Sequence, residues 1–212
     1  ATIDFDDVSH KGITNISTDD VAVAQELGYV IKLVGDVREV ESGISAEVSP
    51  TFLPKNHPLA SVNDVMNAVF VESIGIGESM YYGPGAGQKP TATSVLADII
   101  RIARRLSDGN VGKPFNEFHR DLPLANPADV KSNYYFALDT PDEKGKILHL
   151  SEIFNSEDIS FEQVLQQKAN GTTARIVVIT HAMSKTQLKA VTEKLEAAED
   201  FTVVNTLKVL SN

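Results

Sequence analysis

The chain has 212 residues, enough for one large domain or two modest ones, and its 42% hydrophobic and 23% charged residues exclude disorder and fibrous repeats. Against 19 Lys and Arg stand 29 Asp and Glu, a formal charge of −10, which opposes nucleic acid and anionic membrane surfaces as partners. With no cysteine there are no disulfides, thiolate catalysis or Cys-based metal sites, a count compatible with a cytoplasmic location.

The acidic start at Asp4, Asp6 and Asp7 is the reverse of a signal peptide, and no run approaches the roughly 20 apolar residues of a membrane helix, so a soluble chain is expected. The first residue is Ala1 instead of Met, which leads to the expectation of a processed product or an excised piece of a longer protein. Ser17 or Thr18 can cap a helix running to about Leu27 and ending at Gly28. Val30 to Gly35 reads as a strand, and Ile44, Ala46 and Val48 alternate in another that Pro50 stops. Ser61 to Asp64 starts a short helix, followed by apolar Ala68 to Val71 and the strand-like Glu78 to Tyr82. Pro90 suits a first helical turn, and Val95, Ile99, Ile102, Ala103 and Leu106 make the apolar stripe of the most regular helix. Arg101, Arg104 and Arg105 sit near its end, where cations favour the negative pole of the helix.

Between Ser107 and Ser132 periodicity is lost and turn residues dominate, which marks a linker at 113–131. Asn133 to Leu138 then reads as a strand and Thr140 to Gly145 as a turn. Ile147, Leu150, Ile153 and Phe154 share a helical face, and Ile159, Phe161 and Leu165 suggest a second strand. Asn170-Gly171 turns the chain into Ala174 to Thr180, a β-branched run of the buried central kind. Ser184 with Gln187 forms a capping box, Met183 and Leu188 a hydrophobic staple, and Leu188, Val191 and Leu195 the helix face behind them. Phe201, Val203, Leu207 and Val209 alternate in a last strand. The order β, α, β, β, α, β specifies a ferredoxin-like α+β sandwich over 132–212.

Two places can hold chemistry. Gly83, Gly85 and Gly87 form a glycine-rich loop between a strand and a helix, which serves either tight packing or the approach of an anionic or polar ligand. It is neither a dinucleotide fingerprint, since Gln88 stands where the third glycine belongs, nor a phosphate-binding P-loop. Asp142 and Gly145 lie in the turn before the first helix of the ferredoxin-like unit. There, exposed amides can bind the carboxylate of a small amino acid, or Gly145 simply permits the turn. The histidines at 10, 57, 119, 149 and 181 have no metal-ligand spacing, so no metal site is expected; His57 reads as a turn residue. No Gly-x-Ser-x-Gly elbow supports nucleophilic catalysis.

The series Pro50-Thr-Phe-Leu-Pro54, His57-Pro-Leu-Ala60, Asn67-Ala-Val69, Gly83-Pro-Gly-Ala-Gly87, Pro90-Thr-Ala92 and Asp98 resembles the latter part of the catalytic region of homoserine dehydrogenase. Gly12-Ile-Thr-Asn-Ile16, Ala24 to Tyr29 and Lys32-Leu33 are similar to the same family's stretch after its catalytic helix, and the C-terminal unit resembles the ACT domain of many bacterial members. The resemblance implies an NAD(P)-dependent oxidoreductase that interconverts L-homoserine and L-aspartate 4-semialdehyde on the route to threonine, methionine and isoleucine. It implies an α+β chain with an incomplete mixed-sheet catalytic and dimerisation domain at 1–112, a linker at 113–131 and an ACT-like regulatory domain at 132–212. Gly87 then matches the position near the nicotinamide, Gly83 and Gly85 shape that loop, and Asp142 and Gly145 face an amino-acid effector. The nucleotide fingerprint, the catalytic lysines and the substrate-holding carboxylates of the family would lie before Ala1. The resemblance therefore implies no catalytic residue here, an inactive fragment, and a homo-oligomer, at simplest a dimer. Lys146 and Asp158 stand where relatives usually carry an apolar residue and Gly, a departure from the usual threonine site. The alternatives are a non-catalytic amino-acid-binding ACT regulatory protein and a plain oligomerisation module.

Overall fold

A computed structural model describes residues 3–110 and 120–210. His119 and residues 113–119 of the expected linker lie outside the described residues. Two compact units emerge, Ala1–Lys55 with Arg120–Asn212, and Asn56–His119.

In the first unit, β1 (Ser9–His10) precedes α1 (Thr18–Glu26), β2 (Tyr29–Val40) and β3 (Gly43–Pro54). Ser17 caps α1 by accepting from the Asp20 amide, and Asp20 answers by accepting from the Ser17 amide, so two otherwise orphaned donors are satisfied. The turn between β2 and β3 brings Gly43 to φ +143°, where a Cβ would lie 2.1 Å from the Pro123 carbonyl oxygen. Glycine is therefore required there.

Pro50 does not stop the strand; β3 continues to Pro54 with Pro50 opposite Leu33. The reason lies in which edge the proline presents. The carbonyls of Val48 and Phe52 accept from Lys11 and Leu210, so those positions, and Pro50 between them, face the edge away from β2. On that edge β1 leaves off at Val48 and a later strand begins at Thr51, so the missing N–H removes no bond from the β2 ladder.

In the second unit, a single 3-10 turn at Pro58–Ser61 replaces the short helix expected from Ser61. The His57 imidazole caps this turn by accepting from the Leu59 amide, and its ring meets Phe70 edge-on, which makes it the turn residue that the sequence suggested. A hairpin follows, β4 (Met66–Ser73) and β5 (Gly77–Pro84), and then α2 (Gln88–Ser107). The α2 stripe of Val95, Ile99, Ile102 and Leu106 is more than half exposed, and no described residue of the helix is buried.

The chain re-enters the first unit through β6 (Lys131–Pro141), α3 (Lys146–Asn155), β7 (Phe161–Asn170), β8 (Thr173–Thr180), β9 (Met183–Ser184), α4 (Lys185–Ala197) and β10 (Thr202–Val209). This is the expected βαββαβ order. It is not a separate body, however. β10 pairs antiparallel with β6 and, at Lys208 opposite Thr51, parallel with β3, so one eight-stranded mixed sheet runs through both ends of the chain. The compact units thus cut across the expected divisions at 112 and 132. Residues 120–126 also dock instead of linking freely: Ile44 donates to Pro123, Ala125 donates to Ile44, and Arg120 holds Glu39 in a bidentate pair.

Each face of this sheet carries a core. On one face Phe136, Leu138, Ile176 and Val178 pack with Leu150 and Phe154 of α3 and Val191 and Leu195 of α4. On the other, Tyr135, Ala137, Val177, Ile179 and Leu207 pack with Phe52 and with Val23 and Ala24 of α1. Adjacent residues of β6 and β8 alternate between the two cores, as the pleat requires, so both strands read as unbroken apolar runs.

Candidate functional site

The glycine loop joins β5 to α2, and its three glycines have three different physical reasons. At Gly85 a Cβ would fall 1.7 Å from Asn67 Nδ2 and 2.6 Å from its Cγ, and the Gly85 amide donates to the Val65 carbonyl at 2.9 Å. Packing inside the hairpin explains it. Gly87 caps α2 at φ +124°, a conformation that side chains disfavour, and its carbonyl accepts from Thr91. Gly83 has neither constraint: its φ is ordinary, and beyond its chain neighbours a Cβ there would meet nothing within 4 Å. Of the three, only Gly83 is free of both constraints. Pro90 stands third in α2, within the first turn whose amides have no helical partner.

The turn at 140–146 lies in the first unit. Asp142 and Gly145 line one cavity of about 310 Å³ together with Thr140, Lys146 and Gln166. Gly145 caps α3 at φ +90°. Thr140 is buried, and its Oγ has no hydrogen-bond partner among the described residues. Lys146 lies across the α3 N-terminus, pairing with Asp200 at 2.6 Å and Glu143 at 3.4 Å. Hydrogen bonds from Lys146 and His149 hold the Asp200 carboxyl below the usual carboxylate range. Asp158 adopts φ +59°, the left-handed conformation that glycine takes most readily and aspartate tolerates. The departure at 158 is therefore conformationally conservative.

Two polar networks escaped the sequence reading. Asp20, 1% exposed, accepts from Ser17 N and Oγ, from Tyr135 Oη at 2.9 Å and from Asn205 Nδ2 at 3.0 Å. Burial pushes its carboxyl up, but the bonds from Ser17, Asn205 and Tyr135 outweigh that and leave it low. The second network centres on Lys208, buried within β10, which binds Asp36 of β2 and Glu47 of β3. Arg38 also reaches Asp36, and Lys185 also reaches Glu47, both at 2.8 Å. Burial raises the Asp36 and Glu47 carboxyls, yet the cations around them win and hold both below their ordinary values. The sequence signal for both networks is a polar residue in an apolar strand, Asn205 or Lys208, without a local partner.

No group of His, Asp and Glu among the described residues could hold a metal ion. No helix there is long and apolar enough to cross a membrane.

Fold and loops define an α+β protein: a two-faced mixed sheet with a terminal βαββαβ segment, and a second unit carrying a strand, a glycine loop and a helix. Residues 1–100 match the sequence model of the homoserine dehydrogenase family. The whole chain aligns at 58% identity with 49% of a homoserine dehydrogenase from Lactococcus lactis, and 93% of it aligns at 34% identity with 46% of one from Bacillus subtilis. The crystal structure of a homoserine dehydrogenase from Thiobacillus denitrificans superposes with a TM-score of 0.87 at 30% identity, over 98% of this chain and 48% of that one. Over its whole length the chain is similar to homoserine dehydrogenases, and its first 100 residues fit that family's sequence model. It spans about half the length of the curated relatives it matches.

Proposed function

We propose that this chain is the C-terminal portion of an NAD(P)-dependent homoserine dehydrogenase that interconverts L-homoserine and L-aspartate 4-semialdehyde, a cytoplasmic step toward threonine, methionine and isoleucine. The observation that carries the reading is the 58% identity to the L. lactis homoserine dehydrogenase over the full length of the chain. The cofactor, when bound, exchanges a hydride with the C4 carbon of the substrate. The part of this chain is to shape one wall of the cofactor site. Gly83 leaves open space beside the loop, Gly87 sets the entry angle of α2, and the first-turn amides of α2 offer donors. These residues fit the nicotinamide side of a dinucleotide and supply no proton-transfer group, so acid–base work on the oxygen falls to the remainder of the protein. The exposed stripe of α2 suits burial against that remainder.

In the same reading, β6 to β10 form an ACT-like regulatory unit. The cavity at Asp142, Gly145 and Thr140 receives a small amino acid, its carboxylate at the α3 N-terminus and the unpaired Thr140 hydroxyl as a further donor. The protein is a homo-oligomer, with exposed Leu33 and Val37 on β2, a strand that pairs only with β3 among the described residues, offering a contact surface.

An assay of the 212-residue chain with L-homoserine and NADP⁺ is expected to give no turnover, and co-expression with the missing half of the L. lactis relative is expected to restore it. Turnover by the chain alone overturns the division of labour. A folded, co-purifying complex without turnover overturns the enzyme reading.

A further inference from the structure

We propose that the cleft between β1, β3, β10 and α4 is a binding site for a small organic monocarboxylate with a short apolar body, anchored by Lys11. The cleft encloses about 580 Å³, within the range of small-molecule sites, and shares no lining residue with the cavity at Asp142 and Gly145. It lies wholly within the first unit.

Its charge opposes that of the chain. The protein carries −10 overall, yet Lys11, Lys185 and Lys208 line this cleft against the single carboxylate of Glu47. Asp36 adds a second carboxylate through Lys208, but three cations, Lys208, Lys185 and Arg38, share those two anions. One positive charge is left over in that network. Lys11 adds another: it forms no ion pair among the described residues, and its ammonium donates to the Thr206 carbonyl at 2.6 Å and to Asn205 Oδ1 at 3.3 Å. Asp20 attracts Lys11 from beyond Asn205 and offsets its charge, which leaves a net excess of one positive charge around the cleft, but the Asp20 oxygens are engaged by Ser17, Tyr135 and Asn205 and do not bind the Lys11 ammonium. Two of the three Lys11 donors are thus used on neutral oxygens, and the third is available to an anion. Burial opposes the charge on Lys11, which a bound carboxylate would relieve.

The remaining surface sets the ligand class. The Thr206 Oγ in the wall is buried without a hydrogen-bond partner among the described residues and is able to donate to a second carboxylate oxygen. Val48, Pro50, Leu188 and Val203 supply apolar area beside it. A small local excess of positive charge inside an acidic protein suits a monoanion better than a phosphate dianion, and the apolar wall suits an aliphatic body better than a sugar.

Titration of the ¹⁵N-labelled 212-residue chain with 4-methylpentanoate tests this, with 4-methylpentanamide as the uncharged isostere. Saturable shifts are expected at the amides of Val203–Lys208 and Glu47–Ser49. The amide should bind about tenfold more weakly or worse, as should the acid with Lys11→Met, whereas Lys11→Arg should stay within a few-fold. Equal binding of acid and amide, shifts confined to Asp142–Lys146, or unchanged affinity in a folded Lys11→Met chain overturns the proposal. Should Lys11→Met not fold, Thr206→Val decides: a several-fold loss supports the site, and unchanged affinity overturns it.

Discussion

Replacing Asp20 by alanine should remove about 3–5 kcal/mol from the first unit, far more than an ordinary helix-cap substitution. The magnitude follows from what the carboxylate holds. One part is the capping box with Ser17, worth about 1 kcal/mol. The larger part is two donors from other elements inside the sheet: the Tyr135 Oη on β6 loses its acceptor, and so does one N–H of Asn205 Nδ2 on β10, whose other N–H keeps the Asn15 carbonyl. Each stranded donor costs about 1–3 kcal/mol, reduced by whatever desolvation of the lost carboxylate is relieved. Tyr135→Phe removes one donor cleanly and should cost only about 1–1.5 kcal/mol. In the Asp20→Ala background the same change should cost almost nothing, because the hydroxyl there has already lost its acceptor. The assay is native-state hydrogen exchange read at Phe136, Leu138 and Val178, whose strands lie inside the sheet, so that unfolding of the second unit does not mask the result. A fall below about 1 kcal/mol in Asp20→Ala, or strict additivity of the two substitutions, would refute the claim that this carboxylate ties α1 to the sheet.

The carboxyls of Asp20, Asp36 and Glu47 are all held low in the folded chain. Their stabilisation should therefore be complete above the ordinary carboxylate range, near pH 4, and be lost as pH falls through the lower folded values. Urea midpoints between pH 7 and 3 check this, and Asp36→Asn should flatten the slope. Gly85→Val should loosen the β4–β5 hairpin by about 1–3 kcal/mol, because its Cβ would displace Asn67, while Gly83→Ala should leave hairpin amide protection unchanged. In the proposed full-length dehydrogenase Gly83→Ala should instead raise KM for the nicotinamide cofactor. Ser184→Ala should cost about 1 kcal/mol by opening the capping box with Gln187, visible as faster exchange in the first turn of α4.

What could be read directly was local. Ser184 and Gln187 are three residues apart, and the structure forms both reciprocal bonds. Ile176 to Thr180 is β-branched and apolar because the strand is covered on both faces, and its central place follows. What escaped was set by pairing at long range. The contact of Thr51 with Lys208 closes the sheet across most of the chain, and nothing in either neighbourhood names the other. Pro50 reads as a terminator because the sequence does not tell which edge its nitrogen faces. The loop glycines read alike, although Gly85 answers to packing, Gly87 to backbone conformation and Gly83 to neither.

Lys208 shows why the division of the chain at residue 112 fails physically. A lysine between Leu207 and Val209 in a β-strand would ordinarily face solvent, but in this sheet it is buried beside strands drawn from the first quarter of the chain. Removal of β2 and β3 would strip it of both carboxylates, expose the core face at Phe52 and open the edge of β10 at once. A segment beginning at residue 132 therefore keeps the βαββαβ order and the β6 partner of its last strand, but loses β3 and both carboxylates that hold Lys208. For that reason effector binding and regulation are better tested on the whole first unit, with residues 1–55 present, than on an excised C-terminal domain.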